Sequence, residues 1–237
     1  MVDDNRMLDL EEYSKRTHFY VDEIPPILSV LLEETAWQRC LDLGCGDGAL
    51  IAAMHNQGYL DGKLLYAVDA SESRIESVRK ISPEIRCIVG DACDTQIEDG
   101  SIDLLISTQV IEHVSNDDDM VKEMHRLLRS DGTLYLTTII KKRYGWYFYR
   151  CNGKWTLDPT HVREYTNESE LLDILRNYGF EILDNQKTLE SRPILDAVLR
   201  RIHAPRDVYK NLLLKPLRKV RIPIPGYYTW ELVCQKR

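Results

Sequence analysis

The stretch Leu41-Asp42-Leu43-Gly44-Cys45-Gly46-Asp47-Gly48 decides the fold: an apolar run carrying an acid passes through three glycines and opens into a helical pattern. Glycine is needed at such a turn because the chain bends tightly and a ligand can approach the backbone with no β-carbon in the way. The loop alone leaves two cofactor classes open, since Gly44, Gly46 and Ala49 also satisfy the G-x-G-x-x-G/A spacing of dinucleotide folds. Asp42 separates them. It stands two residues before the first glycine, where it would repel a pyrophosphate and would suit a cationic ligand.

Outward from the loop, short apolar runs alternate with amphipathic stretches from Gln38 to Thr138, the pattern of strands and helices wound into a parallel sheet. Strands are expected near Cys40–Leu43, Leu64–Asp69, Ile85–Val89, Asp103–Ser107 and Thr133–Thr138, and helices over Gly48–Asn56, Ser71–Ile81 and Asp117–Arg129. Ser71 and the Asp117–Asp119 cluster read as helix starts, and Gly132 as the stop before the fifth strand. Upstream, Pro25-Pro26 leads into a helical stretch that covers the sheet or the site. Downstream, Glu168 to Asn177 reads as an amphipathic helix ending at Gly179. Phe180–Leu183 and Tyr228–Cys234 follow as sixth and seventh strands, with Pro223, Pro225 and Gly226 as the turn into the last. The economical organisation is a single domain over 1–237, with its core at about 37–139 and 167–237 and insertions at about 140–166 and 190–225.

Asp69 ends the second strand 21 residues past Gly48 and can accept from ribose hydroxyls, while Gly90-Asp91-Ala92-Cys93 places a third acid after the third strand. Three acids at three successive strand ends mark the edge where open α/β sheets bind ligands. With Thr108-Gln109-Val110-Ile111-Glu112-His113-Val114 after the fourth strand and Leu127 to Thr133 before the fifth, residues 37–139 resemble the class I S-adenosylmethionine-dependent methyltransferases of the type 11/12 kind. The resemblance implies an α/β fold with a Rossmann-like, seven-stranded, mostly parallel sheet, helices on both faces and the last strand antiparallel. It also implies S-adenosylmethionine as cofactor and methyl transfer as the reaction. Asp42 and the loop (Gly44, Cys45, Gly46, Gly48) would hold the methionine moiety, Asp69 the ribose diol and Asp91 the adenine amino group. Ala70, Ala92, Thr108 and Gln109 complete the cofactor-binding set.

On the acceptor side, Glu112 and His113 are joined later in the chain by His161, in Asp158-Pro159-Thr160-His161-Val162-Arg163-Glu164-Tyr165. This is similar to an E-x-x-E-H element with a later histidine that binds a divalent metal in ubiquinone-pathway and small-RNA methyltransferases. Here the first position is Gln109, a neutral and weaker ligand, so no metal is expected although Glu112, His113 and His161 offer a set. Two further readings stand beside it: Glu112-His113 as a packing and helix-start element, or a general base without metal, His161 before His113. Between the fifth strand and His161, seven of the chain's 20 aromatic residues fall in positions 144–165, next to Lys141, Lys142 and Arg143. Such a segment suits stacking on a ring or sugar face with anionic groups nearby, or packing against the second insertion.

Charge is segregated: residues 191–237 carry 11 Lys+Arg against 3 Asp+Glu, while the chain as a whole is −7. The acidic balance argues against general nucleic-acid binding, and no nucleic-acid partner is expected. The basic 191–221 region is either a solvated face or a contact for an anionic group or membrane surface. No apolar run approaches the roughly 18–20 residues of a spanning helix. The acidic start lacks a secretory pattern, and the six cysteines show no C-x-x-C pair, so a cytoplasmic protein with reduced thiols is expected. The leading function is O-methylation of a small-molecule, glycan or lipid-linked acceptor. RNA methylation, a non-catalytic cofactor-binding regulator and a nicotinamide oxidoreductase are the alternatives.

Overall fold

The computed structural model describes residues 24–147, 149–151, 154–195, 199, 208, 216–217 and 219–237. The chain runs α1 (Pro26–Glu34), β1 (Arg39–Leu43), α2 (Ala49–Asn56), β2 (Leu64–Asp69), α3 (Glu72–Arg79), β3 (Arg86–Val89) and β4 (Ile102–Thr108). It continues with α4 (Asp117–Leu127), β5 (Leu128–Lys141), β6 (Tyr149–Cys151), β7 (Lys154–Thr156), α5 (Ser169–Asn177), β8 (Phe180–Pro193) and β9 (Arg221–Lys236).

Seven strands form one sheet in the order β3-β2-β1-β4-β5-β9-β8, and β6 and β7 make a separate hairpin. The pairs among β1 to β5 are parallel, and β9 is antiparallel to both β5 and β8, as expected for the last strand. Parallel strands are buried on both faces, which is why Leu104, Leu105 and Ile106 of β4 are apolar at consecutive positions. Leu105 of β4 packs with Met120, Met124 and Leu171 from α4 and α5, while Leu104 and Ile106 pack with Leu28, Ile51 and Ile75 from α1, α2 and α3. Helices therefore cover both faces. The crossovers place the loops after β1, β2, β3 and β4 at one edge, where the strand order reverses between β1 and β4.

Local chemistry accounts for most boundaries. Pro26 fills the first turn of α1, where a missing N–H costs nothing. Asn116, rather than the aspartate cluster, caps α4 by accepting from Asp118 N at 3.2 Å, and Asp117 to Asp119 occupy the first turn. That helix stops at Leu127, earlier than the expected Arg129, because Leu128 already has extended angles and begins β5. Gly132 is not the stop: Asp131 takes the left-handed turn (φ 63°), and Gly132 lies within β5, where a β-carbon would meet Arg129 O at 2.9 Å.

The sixth and seventh strands are longer than their apolar cores suggest. Pro223 and Pro225 lie inside β9 rather than in a turn before it, and Gly226 (φ 79°) sits where the β8–β9 register shifts. Pairing of β9 with β5 ends at Lys141 and Tyr227, so beyond that point β9 has one free edge, and prolines are tolerated on such an edge. The expected insertion at 190–225 thus starts and finishes in strand. Its residues 196–198, 200–207, 209–215 and 218 lie outside the described residues, as does the acidic start at 1–23. The 140–166 segment holds the β6–β7 hairpin, and Tyr147 and Leu157 pack with Ile139, Ile224 and Tyr227 in a small satellite core. Among the described residues no helix is long and apolar enough to cross a membrane, and Cys40, Cys45, Cys87, Cys93 and Cys234 are free thiols.

Candidate active site

The glycine loop turns on β2. Gly44 and Cys45 both donate to Val68 O, at 2.8 and 2.9 Å, and Gly46 N donates to Asp69 Oδ2 at 2.9 Å. The glycines serve different ends. A β-carbon at Gly44 would lie 2.2 Å from Val110 Cγ2, and one at Gly48 would lie 2.8 Å from Ile81 Cδ1, so these two allow close packing. Beside Gly46 there is nothing within 4 Å. All three have positive φ, between 55° and 81°. Gly46 alone faces open space, as a ligand cradle requires.

Asp69 is fixed by its neighbours: Oδ2 receives Gly46 N, Oδ1 receives Ser71 N at 2.9 Å, and an Arg74 guanidinium nitrogen stands 3.7 Å away. Asp42 is buried (2% exposed), and its Oδ1 has no hydrogen-bond partner. Burial, and after it the charge of Asp69, push its carboxyl from 3.8 up to about 7. An orphaned buried carboxyl oxygen next to a second acid, under an open glycine cradle, fits a cationic cofactor such as S-adenosylmethionine. Asp91 is exposed, with Oδ1 accepting from Cys93 N at 2.9 Å, and Ala92 is half-buried beside it. Ala70 is exposed past Asp69, and Thr108 is half-buried at the end of β4. Arg74 carried no sequence signal, because it reads as one more charge on an amphipathic helix.

After β4 the chain makes a strained turn. Gln109 has φ 58°, its N–H donates to Thr137 O at 2.9 Å, and its side-chain amide reaches Thr137 Oγ1 at 3.4 Å. Glu112 then turns fully inward, with Oε2 accepting from Thr138 Oγ1 at 2.9 Å and Oε1 unpartnered. Burial above all pushes its carboxyl up to about 7, opposed in part by the charge of His161. The helix-start reading of Glu112-His113 does not hold, since α4 begins only at Asp117.

The 158–163 loop is docked on this turn. Val162 and Arg163 N–H groups donate to Glu112 O, and the Arg163 guanidinium donates to Ile111 O, Val114 O and Ser115 O. The His113 and His161 rings meet at 4.8 Å between centroids. One ligand atom from each of Glu112, His113 and His161 lies within 4.8 Å of the others. Residues almost fifty positions apart are thus brought together. His113 is held down to about 4, by burial first and then by His161, and so stays neutral near pH 7. The Thr160 hydroxyl donates to Asp158 Oδ1, and Thr160 O can only accept, so His113 Nδ1 carries the proton and Nε2 the lone pair.

A family model for the methyltransferase domain matches residues 41–136. A Mycobacterium tuberculosis protein named as a probable S-adenosylmethionine-dependent methyltransferase is 29% identical over 177 residues, covering 73% of this chain and 57% of that protein. The chain therefore spans little more than half the length of the first curated relatives it matches. A ubiquinone biosynthesis O-methyltransferase of Pelagibacter ubique is 29% identical over 166 residues, covering 62% of this chain and 67% of that enzyme. Among solved structures, the YcgJ protein of Bacillus subtilis superposes with a TM-score of 0.63 at 20% identity, over 89% of this chain and 97% of that one, a likeness of fold. In its loop, in the acids at its sheet edge and in these likenesses, the chain is similar to the class I S-adenosylmethionine-dependent methyltransferases, and residues 41–136 match the methyltransferase domain.

Proposed function

We propose that the chain transfers a methyl group to a hydroxyl oxygen of a small-molecule, glycan or lipid-linked acceptor, with His161 taking the hydroxyl proton. S-adenosylmethionine, when bound, supplies the methyl on a cationic sulfur. Gly46, Asp42 and Asp69 hold that donor and orient its methyl group. The observation that carries the oxygen acceptor is the buried Glu112–His113–His161 cluster. An amine can be methylated from its neutral form with little help, whereas a hydroxyl needs its proton accepted as the bond forms. A carboxyl pushed up to about 7 beside two imidazoles suits that task. The Pelagibacter relative, named an O-methyltransferase, supports the same reading.

A second version has an observation of its own. The unpartnered Glu112 Oε1 and the two imidazoles fit a divalent cation in donor chemistry, and such an ion would polarise the acceptor hydroxyl. His161→Ala should lower turnover by roughly 10²–10⁴ while donor affinity changes little. A chelator should have no effect on wild type if the base acts alone, and should cause a similar loss, reversed by adding a divalent ion, if a metal is held. A fully active His161→Ala enzyme would remove both versions.

Exposed residues of two stretches, 142–155 and 217–222, have the mixed apolar and basic character that suits an anionic or lipid-linked partner. Tyr144, Trp146, Trp155, Leu217, Val220 and Ile222 are exposed, among exposed Lys142, Arg143, Lys219 and Arg221. Peripheral contact of these stretches with an anionic bilayer predicts sedimentation with phosphatidylglycerol vesicles but not with phosphatidylcholine ones. Equal behaviour with both would leave only soluble acceptors.

A further inference from the structure

His161 is held by a carboxylate that lies outside the Glu112–His113–His161 cluster. Glu164 follows three residues later, its side chain 9% exposed, and His161 Nδ1 approaches its Oε1 at 3.0 Å. The same oxygen receives Leu157 N at 2.6 Å and the Thr156 hydroxyl at 2.8 Å. The other oxygen, Oε2, faces the Tyr227 hydroxyl at 3.3 Å and the Lys141 ammonium at 3.4 Å. Leu157 N and the Lys141 ammonium can only donate, while the Thr156 and Tyr227 hydroxyls each share one proton between Glu164 and a backbone carbonyl, Asp158 O and Trp155 O. A carboxylate facing Leu157 N and the Lys141 ammonium can only accept, so the proton shared with His161 belongs to the imidazole, on Nδ1. Nε2 is left as the free lone pair, the atom that a base or a ligand needs.

The geometry points to Glu164 as the positioning residue of the acceptor site, fixing the tautomer and orientation of His161 and coupling them to the aromatic hairpin. The coupling runs through named contacts. Glu164 joins β7 and the residue after it (Thr156, Leu157) to the end of β5 (Lys141) and to Tyr227 within β9. Lys141 Nζ also donates to Trp155 O, and the Tyr227 hydroxyl reaches the same carbonyl at 3.2 Å. The backbone of Trp155, whose ring meets Trp146 edge-on at 5.8 Å, is therefore three contacts from the imidazole. Parallel backbone bonding of Ile140 with Tyr165 keeps the 161–165 segment in place beside β5. Carboxylates that orient an imidazole in this way are commonly worth 10–100-fold in activity.

This assignment rests on the reading of His161 as the acting residue, and the experiment separates the two. Full-length protein labelled with ¹⁵N-histidine, with the His161 signals assigned by their loss in His161→Gln, reports which ring nitrogen carries the proton. Wild type should show protonated Nδ1 and bare Nε2. In Glu164→Ala nothing holds the proton on Nδ1, so the ring should revert to the mixture of an unpartnered imidazole. Turnover, on whichever acceptor takes up label from a deuterated donor, should fall 10–100-fold with donor affinity unchanged. Glu164→Gln keeps a carbonyl oxygen toward His161 and should retain both the tautomer and most of the rate, so the test survives if the alanine variant fails to fold. A proton on Nε2 in wild type, or a folded Glu164→Ala protein with wild-type tautomer and rate, overturns the assignment. Full activity of His161→Ala, with the tautomer still following Glu164, would instead overturn the base reading and leave the contact standing.

Discussion

Asp42→Asn removes a negative charge that the fold buries with one oxygen unpartnered, and its effect has a sign and a size. The wild-type carboxyl is moved from 3.8 to about 7, by burial first and by Asp69 second. Between these values the folded protein keeps a proton that the unfolded chain has released, so this group's contribution to stability falls as pH rises from about 4 to about 7. At 1.36 kcal/mol per pKa unit, charging Asp42 costs the folded state about 3 kcal/mol between pH 5 and pH 8. Asparagine carries no such charge. Urea unfolding of both proteins without cofactor, at pH 5, 6, 7 and 8, should show the variant gaining about 3 kcal/mol on wild type across the series. Glu112 has the same direction of shift but is present in both proteins and cancels. The variant should also lose affinity for the cationic donor, and in wild type that affinity should weaken about tenfold from pH 8 to pH 6, as protonation competes with the ligand. A stability gap between the two proteins that stays constant with pH would refute the reasoning.

Two more changes probe the cofactor edge. Asp69→Ala should weaken S-adenosylmethionine binding by about 1.5–3 kcal/mol, the range for hydrogen bonds to a charged group, and calorimetric affinity equal to wild type would sink the ribose assignment. Gly46→Val should abolish binding while circular dichroism stays native, because the side chain would enter the open space beside the loop and resist a φ of 55°. Retained binding would show that the loop is not the cradle.

The glycine loop and the acids after the strands were legible in the sequence because their signals are local. Gly44, Gly46 and Gly48 fall within five residues, Asp69 ends β2, and Asp91 follows the end of β3 by two residues. The acceptor side was only half legible. Glu112, His113 and His161 stood out as residue types, but their meeting depends on Arg163 and on backbone bonds to Glu112 O, which no periodicity reports. Glu164 was hidden for the same reason: its five partners come from β5, β7, β9 and the loops beside them. The long β8–β9 ribbon was missed because Pro223, Pro225 and Gly226 read as turn residues, and only the free edge of β9 makes them acceptable in a strand. Gly132 was misread in the opposite sense, a glycine kept for crowding by Arg129 O and not for a left-handed turn.

The central claim is that donor held at the Asp42–Gly46–Asp69 edge gives its methyl to a hydroxyl beside His161. Cell extracts of metabolites, glycans and lipids incubated with the protein and a trideuteromethyl donor, then read by mass spectrometry, test it most directly. The account predicts label on an oxygen of one acceptor class with wild type and none with Gly46→Val. Label on nitrogen or carbon would contradict the oxygen acceptor, and donor binding without label on any molecule would contradict catalysis itself.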